Sequence, residues 1–378
     1  MKNKAIILST GLAMFSMFFG SGNLVFPIDV GHLSGGHTIL ASIGFILTGV
    51  LVPFLGIFAM LLFRGDTNSF FSRLGKFAPF WFSLICLSIM GPFGVLARCI
   101  TVSHSAFCSL APNTPLWIFS LASCCLLFIT TFKKSRIVPI LGSILTPILL
   151  ISLTAVAFFG IFSGTLPEAS AEHGWESLKI GFFKGYQTMD LLAAFFFSTF
   201  VINHLQQKSK EESSSLPLFF KSAMLGAGLL SLVYVIFVVL GSMYAPHLQG
   251  VSGPEMLTRI AFISLGTYAA PIACTAILLA CFTTAMVLTS LFSDFLRKEV
   301  SKDKIPASLS IMITLAIGFF ISTLGFNGIM SFIGPILEAI YPALIVLTLT
   351  NIAHKTVGWK FIRIPTIFTF LLKFLSSI

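Results

Sequence analysis

From Thr38 to Phe63 the chain runs for 26 residues without one charged side chain. A transmembrane helix needs about 20 predominantly apolar residues, so this stretch is long enough to cross a bilayer. Comparable runs recur along the sequence. They predict helices near 5–27, 37–63, 79–107, 115–132, 137–163, 182–204, 216–243, 264–296, 305–324, 329–352 and 361–378. A soluble domain carries charge on about a quarter of its residues. Here the charged fraction is 10%, the hydrophobic fraction 56% and the mean hydropathy +0.99. The 42 phenylalanines supply lipid-facing and packing bulk. The implied class is an all-α polytopic membrane protein with about eleven transmembrane helices, a single membrane domain over 1–378.

Turn residues punctuate the spans at Pro27 with Gly31, Gly35-Gly36, Gly65-Asp66, Pro112-Asn113 and Pro167, and the polar run Gln206 to Ser215 divides the sixth helix from the seventh. The net charge of +10 is distributed as topology, with no aromatic-interleaved basic surface that would suit nucleic acid. One side of the membrane collects 18 Lys and Arg, in six clusters: Lys2 and Lys4; Arg64, Arg73 and Lys76; Lys133, Lys134 and Arg136; Lys208, Lys210 and Lys221; Arg297, Lys298, Lys302 and Lys304; Lys355, Lys360 and Arg363. The other side holds only Lys179, Lys184 and Arg259. Cytoplasmic loops carry the excess of positive charge, so the N-terminus is expected in the cytoplasm. Met1-Lys2-Asn3-Lys4 opens like a signal peptide, but no A-x-A cleavage pattern follows and the apolar run is long enough to span.

Inside the first apolar run stands Gly20-Ser21-Gly22-Asn23, close to mid-membrane depth. Irregular backbone is tolerated there only where protein or a water-filled cavity satisfies it. A broken helix offers N–H groups to a carboxylate and carbonyls to a cation; a packing face or simple kink is the plainer alternative. Ionisable side chains within a span are functional candidates by default. Asp190, in the sixth helix, is read as lining or gating a cavity, or as a structural partner of Arg98. Arg98, in the outer half of the third helix, is expected to snorkel outward, and His104 to be a satisfied interfacial residue. Glu338, Asp29 and Asp294 lie near helix ends. In the eighth helix, Ala280, Thr283 and Thr284 share a face. They offer a carbonyl and two hydroxyls to Na⁺, or the hydroxyls bond back to the carbonyl one turn earlier.

Other chemistries find little support. The seven cysteines, Cys86, Cys99, Cys108, Cys124, Cys125, Cys274 and Cys281, include no C-x-x-C pair and read as small buried hydrophobes. His32, His37, His173, His204, His247 and His354 fall mostly in loops or at helix ends, with no H-E-x-x-H. An integral membrane enzyme is therefore not expected. A channel would need a pore-loop filter or a ring of acids, and neither is present.

Six blocks, in order from about residue 10 to 350, resemble the bacterial branched-chain amino acid carriers (the BrnQ, or LIVCS cation symporter, family). They are Gly20 to Pro27, Ile43 to Val50, Gly91 to Arg98, Gly185 to Ala194, Leu279 to Ala285, and Ser322 to Asn327 followed by Pro335 to Pro342. The resemblance implies a LeuT-type core of two inverted five-helix repeats within the amino acid–polyamine–cation superfamily. Repeat one would cover about 5–163 and repeat two about 182–352, with an extra C-terminal helix at about 361–378. It implies a secondary active symporter in the bacterial cytoplasmic membrane. The cargo would be leucine, isoleucine and valine, coupled to Na⁺ by alternating access, with no organic cofactor. An H⁺-coupled carrier for another apolar amino acid such as methionine is the alternative. Carried over residue by residue, the amides of Gly20, Ser21 and Gly22 hold the substrate carboxylate, and backbone near Thr188 and Met189 meets the ammonium group. Asn23 and Asp190 complete the substrate set. The sodium set is Ser16, Phe19, Ala280, Thr283 and Thr284. Asn23 and Thr188 fit a second sodium site, but the seventh helix (216–243) has no Asn to complete it, so one coupling ion is expected. The family usually has twelve helices; here the sequence stops within or just after an eleventh, and oligomeric state is not legible.

Overall fold

The first apolar run is not one straight helix. α1 (Lys2–Phe18) ends two residues before α2 (Ser21–Leu33) begins, and the two halves meet at a bend of 70°. Neither half spans the hydrocarbon core alone. This computed structural model describes residues 2–132, 145–165, 167, 174–208, 212–266 and 269–376. Lys133, Lys134, Arg136, His173, Lys210 and the 137–144 part of the expected fifth helix lie outside them.

The second apolar run is α3 (Thr38–Ile46), a wider turn at Leu47–Leu51, and α4 (Val52–Leu62). A short α5 (Thr67–Phe71), capped by the Asp66 side chain on the Asn68 amide, leads into α6 (Ala78–Met90) and α7 (Val95–Phe107). The expected single helix over 79–107 is thus interrupted at Gly91–Gly94. Pro92 has no amide to donate, and a Cβ on Gly94 would stand 2.0 Å from the Ile89 carbonyl. Then follow α8 (Leu116–Thr131), α9 (Thr146–Ser163) and the second interrupted pair, α10 (Gly174–Tyr186) and α11 (Asp190–Lys208). Where the polar run between the sixth and seventh helices is described it is helical: α11 extends to Lys208, and α12 runs from Glu212 to Met243.

The eighth helix was expected from residue 264. Residues before it instead form a separate α13 (Gly253–Leu265), stopped by Gly266 at φ +61°, and α14 occupies Ala269–Phe295. A positive φ is cheap only for glycine, which is why the chain turns there. α15 (Ala307–Ser322) and the 33-residue α16 (Gly325–Val357) complete the long helices. α17 (Arg363–Ser376) has 14 residues, about 21 Å at 1.5 Å per residue, short of a core about 30 Å thick.

By length and apolarity five helical segments among the described residues can cross a membrane singly, and α1 with α2 makes a sixth. The remaining apolar helices are shorter, and the α10–α11 pair is split at its middle. The described residues contain no strand.

Packing sorts the helices into two units. α12 packs along α1 and α2, while α3 and α4 pack along α10 and α11. Each interrupted helix thus lies against an uninterrupted one from the other half of the chain. These contacts are close: a Cβ at Gly31 would lie 2.0 Å from the Val238 carbonyl, and one at Gly44 2.1 Å from the Leu178 carbonyl. The other unit joins α7, α8, α14 and α15. α1 meets α14, and α2 meets α7, across the seam between them. The α1–α2 and α10–α11 interruptions both open onto that seam.

Candidate functional site

At the end of a helix the last carbonyls have no intrahelical partner. Those of α1 are met from α14. Thr283 Oγ1 lies 3.4 Å from the Ser16 carbonyl, and Thr284 Oγ1 lies 3.5 Å from that of Met17 and 3.3 Å from that of Phe19. Thr283 also donates to the Ala280 carbonyl at 2.9 Å, within its own helix. The five expected sodium ligands, Ser16, Phe19, Ala280, Thr283 and Thr284, are brought together and are buried, with Met17 as an addition. A hydroxyl has one proton, so two threonines cannot satisfy four carbonyls. Ser16 Oγ is buried among them without a hydrogen-bond partner. This neutral, hard-oxygen cluster has acceptor capacity in excess, which fits a small cation.

Gly20 holds this junction open. Its backbone is extended (φ −118°, ψ −158°), and its amide donates to Asn23 Oδ1 at 3.2 Å. A Cβ here would lie 2.9 Å from Thr284 Oγ1, so only glycine lets the break rest on α14.

The second interruption is made differently. Gln187, Thr188 and Met189 separate α10 from α11, and Met189 sits at φ +66°. A non-glycine residue held in the left-handed region costs about 1–3 kcal/mol and persists where its surroundings over-determine it. Here they do. Thr188 Oγ1 donates to the Gly185 carbonyl at 2.8 Å, and the Leu191 amide donates to the Tyr341 hydroxyl at 3.0 Å. Asp190 heads α11, where its charge favours the helix N-terminus. Its Oδ2 accepts from Asn23 Nδ2 and from the Tyr234 hydroxyl, each at 2.8 Å, and Asn23 also bonds that hydroxyl. Asn23 and Asp190 thereby tie the two interruptions together.

Arg98 does not snorkel; that expectation is corrected. Its side chain is fully buried and points at both breaks, with Nε on Ser21 Oγ at 3.0 Å and Nη1 on the Gln187 carbonyl at 2.9 Å. The Ser21 hydroxyl and the Gln187 carbonyl, acceptors at the two breaks, outcompete a long reach to water. Nor is Asp190 its ion-pair partner, since that carboxylate is engaged by Asn23 and Tyr234. His104 is satisfied as expected, bonded to the Thr114 carbonyl at 2.8 Å. Asp29 pairs with Lys184 at 2.6 Å and links α2 to α10.

Between the interruptions lies a cavity of about 20 Å³. Its lining includes Gly20, Asn23, Thr188, Asp190 and Thr284 on the one hand and the apolar Met17, Phe18, Met90, Phe197 and Leu288 on the other. A cavity of about 10–15 Å³ by this measure holds one water, so an amino acid requires the walls to part. Beyond Gln187 a wider vestibule of about 590 Å³ is lined by Glu176, Lys179, Lys184, Tyr186 and Glu338. Ser21 and Gly22 flank the inner cavity on the Arg98 side.

Tyr234 and Tyr341 escaped the reading of the sequence. The signal was there: the chain has 5 tyrosines against 42 phenylalanines. A hydroxyl retained where phenylalanine is the habit marks a place that needs a hydrogen bond.

The family model described as branched-chain amino acid transport protein matches residues 3–378. The chain is 30% identical over 400 residues to a protein named as a branched-chain amino acid carrier in Staphylococcus aureus (strain bovine RF122 / ET3-1), covering 97% of this chain and 87% of that one. A likewise named protein of strain USA300 matches to the same extent. Among solved structures, MhsT in complex with L-phenylalanine superposes with a TM-score of 0.64 at 15% identity, covering 98% of each chain. That likeness shows the LeuT-type fold. The chain is therefore a multi-pass membrane transporter rather than an enzyme, and it belongs to the branched-chain amino acid transport protein family.

Proposed function

We propose that this protein is a secondary active symporter that imports leucine, isoleucine and valine across the bacterial cytoplasmic membrane, coupled to Na⁺. Its N-terminus lies in the cytoplasm, and its repeats cover about 5–163 and 182–352. The observation that carries the reading is the convergence of two interrupted helices on one cavity lined by both polar and apolar groups. An α-amino acid with an aliphatic side chain presents both kinds of group. The amides of Gly20, Ser21 and Gly22 take the carboxylate, and the open carbonyls around Thr188 and Met189, with Asp190, take the ammonium. Met17, Phe18, Met90, Phe197 and Leu288 surround the side chain. One methylene is worth about 1–3 kcal/mol in such a pocket, so the three cargoes compete.

Ser16, Phe19, Ala280, Thr283 and Thr284 would hold Na⁺. When bound, the ion supplies positive charge that joins α1 to α14 across the seam between the two packed units. The residues on the α1–α2 side of that seam then favour one arrangement of the units over the other. Rocking at the seam exposes the cavity to each face in turn.

Proton coupling is a second reading, favoured by Asp190. Its buried carboxylate accepts from the neutral Asn23 and Tyr234 side chains, while its backbone amide donates to Thr188 Oγ1. Uptake of radiolabelled isoleucine into proteoliposomes separates the readings. An inward Na⁺ gradient should drive accumulation that leucine and valine compete. Accumulation driven by a H⁺ gradient alone would move coupling to Asp190. Methionine as the preferred cargo would show as stronger competition than leucine. Absence of uptake under either gradient would overturn the proposal.

A further inference from the structure

The guanidinium of Arg98 is a buried cation with one arm unused. Nε and Nη1 are engaged, as described, and Met330 Sδ lies 3.8 Å from Nη1. Nη2 is buried without a hydrogen-bond partner. No carboxylate pairs with the group among the described residues; the guanidinium carbon instead sits 5.3 Å from the centre of the Phe26 ring. Removing a charge from water is expensive unless it is paired and hydrogen-bonded. Asp190 attracts the group without contacting it, and what Nη2 lacks is an acceptor.

Its place is marked. A Cβ on Gly22 would stand 2.6 Å from Nη2 and 3.2 Å from the Thr188 Cα. Glycine thus lets the guanidinium close directly on the first turn of α2, beside the second interruption. Thr188 lines the inner cavity, and so does Val95, one turn before Arg98 on α7; Gln187, which Nη1 holds, lines the outer vestibule. Arg98 therefore holds a residue that lines the vestibule and stands one turn from a residue that lines the cavity. The N-terminal amides of α2 add the favourable dipole end and orphan donors.

We propose that Arg98 is a fixed-cation receptor for the α-carboxylate of the substrate, taking it on Nη2 beside the first turn of α2. This rests on the amino acid carrier reading above and adds a residue to it. A built-in cation also accounts for the incomplete second sodium site: α12 offers Tyr234 there, and its hydroxyl is committed to Asp190.

The test compares L-leucine with L-leucinamide, which keeps the side chain and ammonium but has no carboxylate. Binding is read by thermal stabilisation of the purified, detergent-solubilised protein and by competition with radiolabelled isoleucine. Charge-assisted bonds are roughly twice as strong as neutral ones. Wild-type protein should therefore prefer leucine by about a hundredfold or more. Arg98→Lys should reduce that ratio to about tenfold and Arg98→Gln to near unity, each by weakening leucine rather than leucinamide. Gly22→Ala, which crowds Nη2 without touching its charge, should move the ratio in the same direction and covers the case in which Arg98→Gln does not fold. Unchanged ratios in the folded variants, with affinity for both compounds lowered equally, would make Arg98 a structural strut and overturn the proposal. Equal wild-type affinity for the two compounds would also overturn it while leaving the carrier reading intact. No stabilisation of the wild type by leucine, isoleucine, valine or methionine would instead remove the carrier reading, and this inference with it.

Discussion

The two interruptions solve one problem by different means. At the first, glycine does the work locally: Gly20 lets the backbone rest on Thr284, and Gly22 admits the Arg98 guanidinium. At the second, the break is set by residues that do not favour it, Gln187-Thr188-Met189, with Met189 in the left-handed region. It is held instead by side chains from α2, α12 and α16: Asn23, Tyr234 and Tyr341. The first break is intrinsic to its sequence, and the second is imposed by its neighbours. A break imposed by neighbours responds to their movement, so the second interruption is the better placed to sense the seam.

Substitutions at each break sharpen or defeat this contrast. The largest effect is expected at Asp190, where Asn23 and Tyr234 converge on one oxygen. Asp190→Asn keeps the shape but loses two charge-assisted bonds, each worth about 1.5–3 kcal/mol. Isoleucine uptake should fall by about a hundredfold or more at unchanged protein level; wild-type uptake would remove the carboxylate from the mechanism. Gly20→Ala comes next, because its methyl would press on Thr284 Oγ1 at 2.9 Å. Uptake should fall about tenfold, roughly 1.4 kcal/mol. Gly228→Ala is the control: no atom lies within 4 Å of a Cβ there, and a helix gains up to about 1 kcal/mol from the change. Equal losses in both would show that local packing at the first break is unimportant.

Thr284→Ala removes a proposed ion ligand whose bonds to the Met17 and Phe19 carbonyls are long, 3.5 and 3.3 Å. Its half-saturating Na⁺ concentration should rise about tenfold with little change in melting temperature. Retained Na⁺ dependence would dismiss α14 as the coupling helix. The smallest effect is expected for Tyr341→Phe, which strips the acceptor from the Leu191 amide. A buried hydrogen bond contributes about 1 kcal/mol net, so the melting temperature should drop by a few degrees with a rise in isoleucine KM. An unchanged KM would mean that the second break does not depend on its neighbours.

The same contrast explains what the sequence disclosed. Gly20-Ser21-Gly22-Asn23 stands out because small and polar residues interrupt an apolar run, so the first break was legible and its contact with Ala280, Thr283 and Thr284 followed from the family resemblance. Asp190 was legible as a carboxylate in a span, but its true neighbours are 167 and 44 residues away, at Asn23 and Tyr234. No local pattern encodes such a meeting. Arg98 was misread for a related reason: outward snorkelling is a rule for a helix alone in lipid, and it fails where two helix ends offer carbonyl and hydroxyl acceptors inside the protein. The separate α13 was missed because Gly253–Leu265 mixes apolar residues with Glu255 and Arg259, too polar for a span and too apolar for a loop.

In the proposed carrier, ion and amino acid bind at one joined pair of helix interruptions. Equilibrium binding to the purified protein tests it most directly, with radiolabelled leucine titrated at zero and saturating Na⁺, and radiolabelled Na⁺ titrated at zero and saturating leucine. Linkage requires the two affinity changes to be equal, and a shared site predicts a factor of about 5–150 in both. Leucine affinity that is the same with and without Na⁺ would contradict the account.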